Sequence, residues 1–279
     1  MKVIKQSAYI VKDWPKMNLY ERCEFAGRIS HASEDKIKEG SAEEFVRRMV
    51  EKKHESVFEF ARVLFHWSED TQIVNLRTVR ETIKKAEEEG EVGTNIDLSH
   101  WVIAIFVARE YPAFFDDINM ERFKNEVGFK SKLEPNFTFE SVNDWIPVLI
   151  ATNRAISHQL VRYRKNVVYL QSSQRYIKYS DVEFISPDVY FDLDDKMYRQ
   201  WIESMERAEQ DYFHALSEGY SAQAARLFLP NSAATKLIMY ASPDTWRHVF
   251  EQRISDKADP MIRELLEPLK EEFVKEGLL

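Results

Sequence analysis

Residues 154–176 carry the densest set of groups able to do chemistry: Arg154-Ala155-Ile156-Ser157-His158-Gln159-Leu160-Val161-Arg162-Tyr163-Arg164-Lys165, then Tyr169-Leu170-Gln171-Ser172-Ser173-Gln174-Arg175-Tyr176. Four arginines and a lysine follow an apolar run in a chain whose net charge is −8. Guanidinium cannot shed its proton and pairs bidentately with phosphate or carboxylate, so this concentration is costly on a core-facing segment unless anions meet it. The stretch reads as an anion site. Gln and Ser between the arginines add neutral donors and acceptors of the kind that read a heterocycle's edge, which favours a nucleotide over inorganic phosphate. The competing reading is a helix end with solvated charges.

Other chemistries find little to work with. Cys23 is the single cysteine, so no intramolecular disulfide and no cysteine metal cluster is possible, and with no base nearby in sequence it reads as a buried, inert thiol. Only seven glycines are present and none forms a GxGxxG or Walker loop, which disfavours a Rossmann or P-loop nucleotide site. His54-Glu55 fails as a zinc helix because position 58 is Phe. A second charged group lies near the end: Arg226 before Leu229-Pro230, then Arg247, His248 and Arg253. Arg247 and Arg253 are too far apart to be neighbours on one helix, and one of them suits a solvated face. What remains is an arginine-based anion site without its own nucleophile or metal, where redox or group-transfer chemistry requires an organic cofactor.

The bulk properties narrow the setting. A chain of 279 residues is ample for a core. Its opening has no apolar run long enough for a signal peptide and no stretch approaches a membrane span, so the expectation is a soluble, cytoplasmic protein without membrane contact. The acidic balance argues against bulk binding to nucleic acid.

Pattern then predicts the elements that must position these residues. Residues 1–11 suggest a strand, and Leu19 to Ala26 a helix ending near Gly27. Ser41 reads as the cap of a capping box with Glu44, opening a helix to about Lys53, and His54 to Trp67 as a turn entering a strand. Residues 71–135 read as added helical matter, with helices over about 71–89, ending near Gly90, and 97–110, then a connection containing Pro112, Gly128 and Pro135. Thr138 or Ser141 is expected to open a long helix through Trp145, Val148, Ile150, Ile156 and Leu160 that delivers the arginines. Short strands are expected at Val167–Leu170 and Val182–Ile185, helices at Asp194–Leu216 and Ser221–Leu229, and a strand at Ala233–Tyr240. Helices at Asp244–Arg253 and Pro260–Glu276 close the chain. Without a βαβ rhythm the fold class is α+β, mixed helices with a small antiparallel sheet, one domain over 1–279 with a helical insertion at 71–135.

Four separated segments together resemble the flavin-dependent thymidylate synthases. Lys53-His54-Glu55-Ser56-Val57-Phe58-Glu59 is similar to that family's GHESxxEH. Ser157 to Arg164 followed by Ser173 to Tyr176 is similar to SHQLVRHR and SQRY. Ala225-Arg226-Leu227-Phe228-Leu229-Pro230 is similar to ARxxLP, and Trp246 to Arg253 with Pro260-Met261-Ile262-Arg263 to HFxxxR and EIR. The likeness covers roughly 20–68 and 148–270 and leaves 71–135 without a counterpart. It implies a homotetramer that binds FAD and dUMP at subunit interfaces, takes a one-carbon unit from methylenetetrahydrofolate, uses NADPH as reductant and makes dTMP. It implies that Gln159, Arg162, Gln171, Ser173, Arg175, Arg226 and Arg253 hold dUMP, with Arg253 the catalytic residue at the uracil edge. Ser30, Ser56, Glu59, Arg162, Tyr163, Arg164 and His248 are the implied FAD contacts, and no metal is implied. Tyr163 stands where the pattern has His, Lys53 where it has Gly and Phe60 where it has His. Ser242 and Asp244 stand where members often carry Asn and Arg. The alternatives are a paralogue that methylates another pyrimidine nucleotide and a non-catalytic nucleotide- or flavin-binding protein.

Overall fold

The computed structural model describes residues 1–67, 70–89, 98–120 and 137–279. The chain forms two compact units. One comprises Met1–Lys12, Ile29–Ser33 and Asp144–Leu279, the other Asp13–Arg28 and Glu34–Asn143. Helices and strands are mixed in both, as the α+β reading requires.

The first unit is built on a four-stranded antiparallel sheet in the order β2 (Ser7–Ile10), β6 (Ile146–Asn153), β9 (Ala234–Ala241), β7 (Val167–Gln171). A separate parallel pair joins β1 (Lys2–Ile4) to β8 (Glu183–Ile185). Central strand β6 corrects the expected long helix through Trp145 to Leu160. Ile146, Val148, Ile150 and Thr152 are β-branched residues two apart and all are buried, a period of two that fits a strand between two partners better than a helix. Pro147 sits one residue inside the strand, and its carbonyl still accepts from Val11 N at 3.0 Å. Only then does a short helix begin, α5 (Arg154–Leu160), because the Asn153 side chain caps it by accepting from Ile156 N at 2.9 Å.

The sheet buries one face under α8 (Pro243–Arg253) and α9 (Pro260–Lys275), where Ile150, Leu237, Met239, Trp246, Phe250 and Leu266 share a core. Trp246 Nε1 donates to Ile146 O at 3.0 Å, so its one polar atom is satisfied inside that core. A smaller core collects Phe184, Tyr212, Ala215 and Ala225 beneath α6 (Lys196–Ser217) and α7 (Ala222–Ala225).

In the second unit a three-stranded antiparallel sheet runs β4 (Asp70–Asn75), β3 (Arg62–Trp67), β5 (Phe137–Ser141). The expected helix over 71–89 therefore starts later, as α3 (Leu76–Glu89), because Asp70-Thr71-Gln72-Ile73-Val74 pairs with β3 instead. A second helix, α4 (Leu98–Glu110), lies where expected. The expected helix end at Gly90 and the connection residues Gly128 and Pro135 lie outside the described residues. Helix α1 (Leu19–Ser30) runs past Gly27. That glycine ends nothing; a Cβ there would come within 2.4 Å of the Phe45 ring, so it makes room for α2 (Ser41–Glu51). Ser41 is also not a helix cap. Gly40 holds that position at φ 76°, and the Ser41 hydroxyl donates to Glu24 Oε2 at 2.6 Å, which takes it out of the expected capping box.

Candidate functional site

The arginine stretch is distributed rather than clustered. Arg154 at the start of α5 turns inward, and its Nη2 donates to Ser172 O at 2.8 Å. Burial pulls its pKa down, opposed by Tyr179 and reinforced by Arg226, which is near enough to repel it. Its Nε is buried with no acceptor among the described residues. Arg162 and Arg164, past the end of the helix, are exposed and have no hydrogen-bond or ion-pair partner among the described residues. Arg175 is also exposed. Its Nε donates to Gln223 Oε1 at 3.0 Å on α7, and its guanidinium lies 5.3 Å from the Tyr176 ring. Arg226 opens the helical turn that follows α7 and is half-buried.

Arg253, the last residue of α8, is brought to Gln159 and Tyr163. Its Nε donates to the Tyr163 hydroxyl at 3.2 Å, Nη1 to Gln159 Oε1 at 3.3 Å and Nη2 to Gln159 O at 3.4 Å. All of these acceptors are neutral, and the Arg253 guanidinium has no ion-pair partner among the described residues. The amide of Gln159 is held from behind: Nε2 donates to Asp259 Oδ2 at 3.0 Å, and Asp259 Oδ1 takes both Met261 N at 2.9 Å and the Tyr190 hydroxyl at 2.6 Å. Burial, and then the bond to Asp259, push Tyr190 up to about 12. His248 stands edge-on to the Tyr163 ring with centroids 5.6 Å apart. Sequence reasoning passed over Asp259 and Tyr190. Asp259 begins α9 as its cap, and its position before Pro260 is the local signal that could have marked it.

Gln171 on β7 donates from Nε2 to Ser157 Oγ at 2.9 Å and to Thr235 Oγ1 at 3.1 Å, so its nitrogen, and not its carbonyl oxygen, is committed beside α5. Ser173 N donates to Ser30 O at 3.0 Å, which places these two expected site residues side by side. Next to Ser30, His31 stacks on Tyr176 at 6.2 Å between centroids. Asp244, whose charge would repel a diphosphate, pairs with Arg247 at 2.6 Å, and both face solvent. Ser56 and Glu59 belong to the other unit, on a 3-10 turn over Glu55–Phe60 where Ser56 is exposed and Glu59 pairs with Arg77. Cys23 is fully buried, and burial pushes its thiol well above the ordinary range, as an inert thiol requires.

The unit built on the four-stranded sheet is α+β, and it holds Arg253 among neutral acceptors at the end of a helix. Comparison with known families makes this specific. The family described as Thymidylate synthase complementing protein matches residues 139–276. The flavin-dependent thymidylate synthase of Pyrococcus horikoshii is 34% identical over 127 residues, covering 44% of this chain and 51% of that protein. The protein of the same name from Geobacter sulfurreducens is 34% identical over 162 residues, covering 57% of this chain and 62% of that one. The chain thus spans about half the length of most of the curated relatives it matches. Among solved structures, a UMP/dUMP methylase, PolB from Streptomyces cacaoi with 5-Br dUMP bound, aligns over 99% of this chain and 93% of its own at 14% identity, with a TM-score of 0.44. The resemblance to flavin-dependent thymidylate synthases is borne out by the sequence relatives. Among the described residues no helix is long and apolar enough to cross a membrane.

Proposed function

We propose that this protein is a cytoplasmic FAD-dependent enzyme that methylates dUMP to dTMP, with methylenetetrahydrofolate as carbon donor and NADPH as reductant. The observation that carries the proposal is Arg253: a half-buried guanidinium fixed by Tyr163 and Gln159 through neutral acceptors, its charge left for a ligand. A fixed cation at the edge of a uracil ring stabilises negative charge as it develops there and needs no reorganisation during the reaction. Gln159, Gln171, Ser173, Arg175 and Arg226 supply the remaining nucleotide contacts, with the arginines toward phosphate.

The residues fit a flavin. Arg162 and Arg164 are exposed cations with no carboxylate partner among the described residues, which suits a diphosphate, and the acid at Asp244 is paired with Arg247. Ser30, Tyr163 and His248 are further contacts in this reading, and Ser56 and Glu59, which belong to the other unit, are carried as FAD contacts by the resemblance alone. When bound, the flavin supplies the hydride that no side chain here provides. Tyr220, Leu227 and Phe228, near Arg226 in sequence, are exposed apolar side chains that a homotetramer in which subunits share sites could cover.

Purified protein titrated with FAD should develop the visible bands of a bound flavin, and adding dUMP, NADPH and methylenetetrahydrofolate should yield dTMP by chromatography. No spectral change and no heat of binding at saturating FAD would overturn the proposal. Bound flavin with turnover of a different pyrimidine nucleotide would keep the cofactor and replace the substrate.

A further inference from the structure

The turn Glu55–Phe60 is a run of six residues in 3-10 geometry, longer than such runs sustain by themselves, since their hydrogen bonds are poorer than those of an α-helix. One side is fixed by burial of Val57, Phe58 and Phe60. The polar side, Glu55, Ser56 and Glu59, is held by α3. Arg77, Arg80 and Lys84 are three and four residues apart and share one face of that helix. Arg80 Nη2 meets Glu55 at 2.8 Å and Asp117 at 2.9 Å, while Lys84 reaches the same two carboxylates at 2.5 Å and 2.8 Å. Arg80 is fully buried, lies 5.4 Å from the Phe58 ring and donates to Phe114 O. Burial would raise Glu55, but hydrogen bonds from Arg80 and Lys84 outweigh it and keep the carboxyl below its ordinary value. Arg77 binds Glu59 through Nη1 and Glu81 through Nε at 2.7 Å. Both carboxylates that bracket Ser56 are thereby anchored to one helix.

We infer that α3 is a clamp that positions the turn bearing Ser56 and Glu59, and that Arg77 is the positioning residue for the Glu59 carboxylate. The clamp lies in the 71–135 stretch, which has no counterpart in the resemblance, and it gives part of that stretch the task of holding the Glu55–Phe60 turn. The inference rests on the proposed flavin contacts of Ser56 and Glu59. Arg77 rather than Arg80 is the group to vary, because Arg77 is more exposed and its loss leaves the buried pairs intact.

FAD should be titrated calorimetrically into the full chain and into Arg77→Ala, Arg77→Lys, Glu59→Ala and the double variant Glu59→Ala/Arg77→Ala. Arg77→Ala should weaken FAD binding about five- to tenfold, the size of a charged hydrogen bond partly screened by water. Arg77→Lys should recover most of that, and Arg77→Ala should add nothing in the Glu59→Ala background. Wild-type protein that binds FAD beside an Arg77→Ala variant of equal affinity overturns the clamp. If wild type binds no FAD, the flavin reading fails by itself, and amide hydrogen exchange over Glu55–Phe60 in the free protein judges the clamp. Faster exchange in Arg77→Ala then upholds it, and unchanged exchange overturns it.

Discussion

In the unit containing α2 and α3, buried arginines meet carboxylates or backbone carbonyls. Arg28 donates twice to Glu24 Oε1, at 3.1 and 2.9 Å; Arg80 meets Glu55 and Asp117; Arg22 donates to Val142 O at 2.9 Å. In the unit containing α5 and α8, Arg253 meets a phenol, an amide and a carbonyl, while Arg162 and Arg164 reach solvent with no partner among the described residues. Arg28 and Arg80 are placed where carboxylates meet their charge, because an uncompensated buried charge costs several kcal/mol, on the order of the ~3–5 kcal/mol lost when one partner of a buried pair is removed. An arginine that serves a ligand keeps its charge and is oriented by neutral groups. The contrast is between Arg28 and Arg80, which carboxylates meet, and Arg253, which only neutral groups orient; Arg22, on Val142 O and Asn143 Oδ1, shows that neutral acceptors also occur in the first of these units.

The largest effect should fall on the scaffold side. Arg80→Ala leaves Glu55 and Asp117 half-compensated and should lower unfolding free energy by about 3–5 kcal/mol, measured by urea melts at pH 7. The pH dependence has a definite sign. Burial works to raise Glu55 and Asp117, yet the bonds from Arg80 and Lys84 prevail and hold both below their ordinary values of 4.5 and 3.8. Their contribution is fully present above those values and is lost as pH falls through the folded ones. The difference between wild type and Arg80→Ala should therefore shrink in acid. A difference that stays constant would show that Arg80 acts through the Phe58 ring and the Phe114 carbonyl rather than through the two carboxylates.

On the site side, Arg253→Ala should weaken dUMP binding by one to two decades, about 1.5–3 kcal/mol, while leaving the melting temperature nearly unchanged. Arg175→Ala should follow it. Arg247→Ala removes a solvated pair with Asp244 and should change affinity by no more than a few tenths of a kcal/mol, roughly the worth of an exposed ion pair. Equal small effects at all three, read by calorimetry, would erase the distinction between held and solvated cations.

A finer probe is the phenol that receives Arg253 Nε. Tyr163→Phe keeps the ring against His248 and deletes that acceptor, so dUMP affinity should fall several-fold, about 1 kcal/mol. Tyr163→His places an imidazole beside the guanidinium and should bring a new pH dependence near its ordinary pKa of about 6.5. Affinity that is unchanged in both variants and flat with pH would remove Tyr163 from the orienting set.

Much of this contrast could be read from residue types, and what escaped did so for physical reasons. The strands at Val167 and Ala234 and the helices ending the chain are legible because their apolar periods are unambiguous. Strand β6 was hidden by the continuity of apolar residues from Ile146 to Ala151, in which period two is visible only if the β-branched residues are weighed above Leu149 and Ala151. The expectation that Gly27 ends α1 failed because a glycine that admits a neighbouring ring looks, in sequence, like one that stops a helix. The concentration of cations in 154–176 was readable from composition. That Arg154 turns inward, and that Asp259 steadies Gln159 across a hundred residues, depends on long-range packing that no local pattern carries.

The smallest expected effect tests the scaffold rule from its other side. Lys53 belongs to the unit of cancelled charges, yet it is exposed and has no ion-pair partner among the described residues. It also adopts φ 56°, the left-handed region. The reason is the end of α2: Lys53 N donates to Val50 O at 3.0 Å and His54 N to Met49 O at 2.9 Å, the paired bonds of a Schellman ending, which needs a left-handed residue at this position. A side chain there costs about 1–2 kcal/mol in crowding against the backbone. Glycine removes that cost but gives the unfolded chain about 0.4–1 kcal/mol more conformational entropy to lose. The balance favours Lys53→Gly by roughly 0.5–1 kcal/mol, so its urea midpoint should rise slightly while Arg80→Ala falls steeply. A loss of stability instead would mean that the Lys53 charge or its stem supports the turn at Glu55–Phe60, and that a cation in this unit can serve the scaffold without a carboxylate.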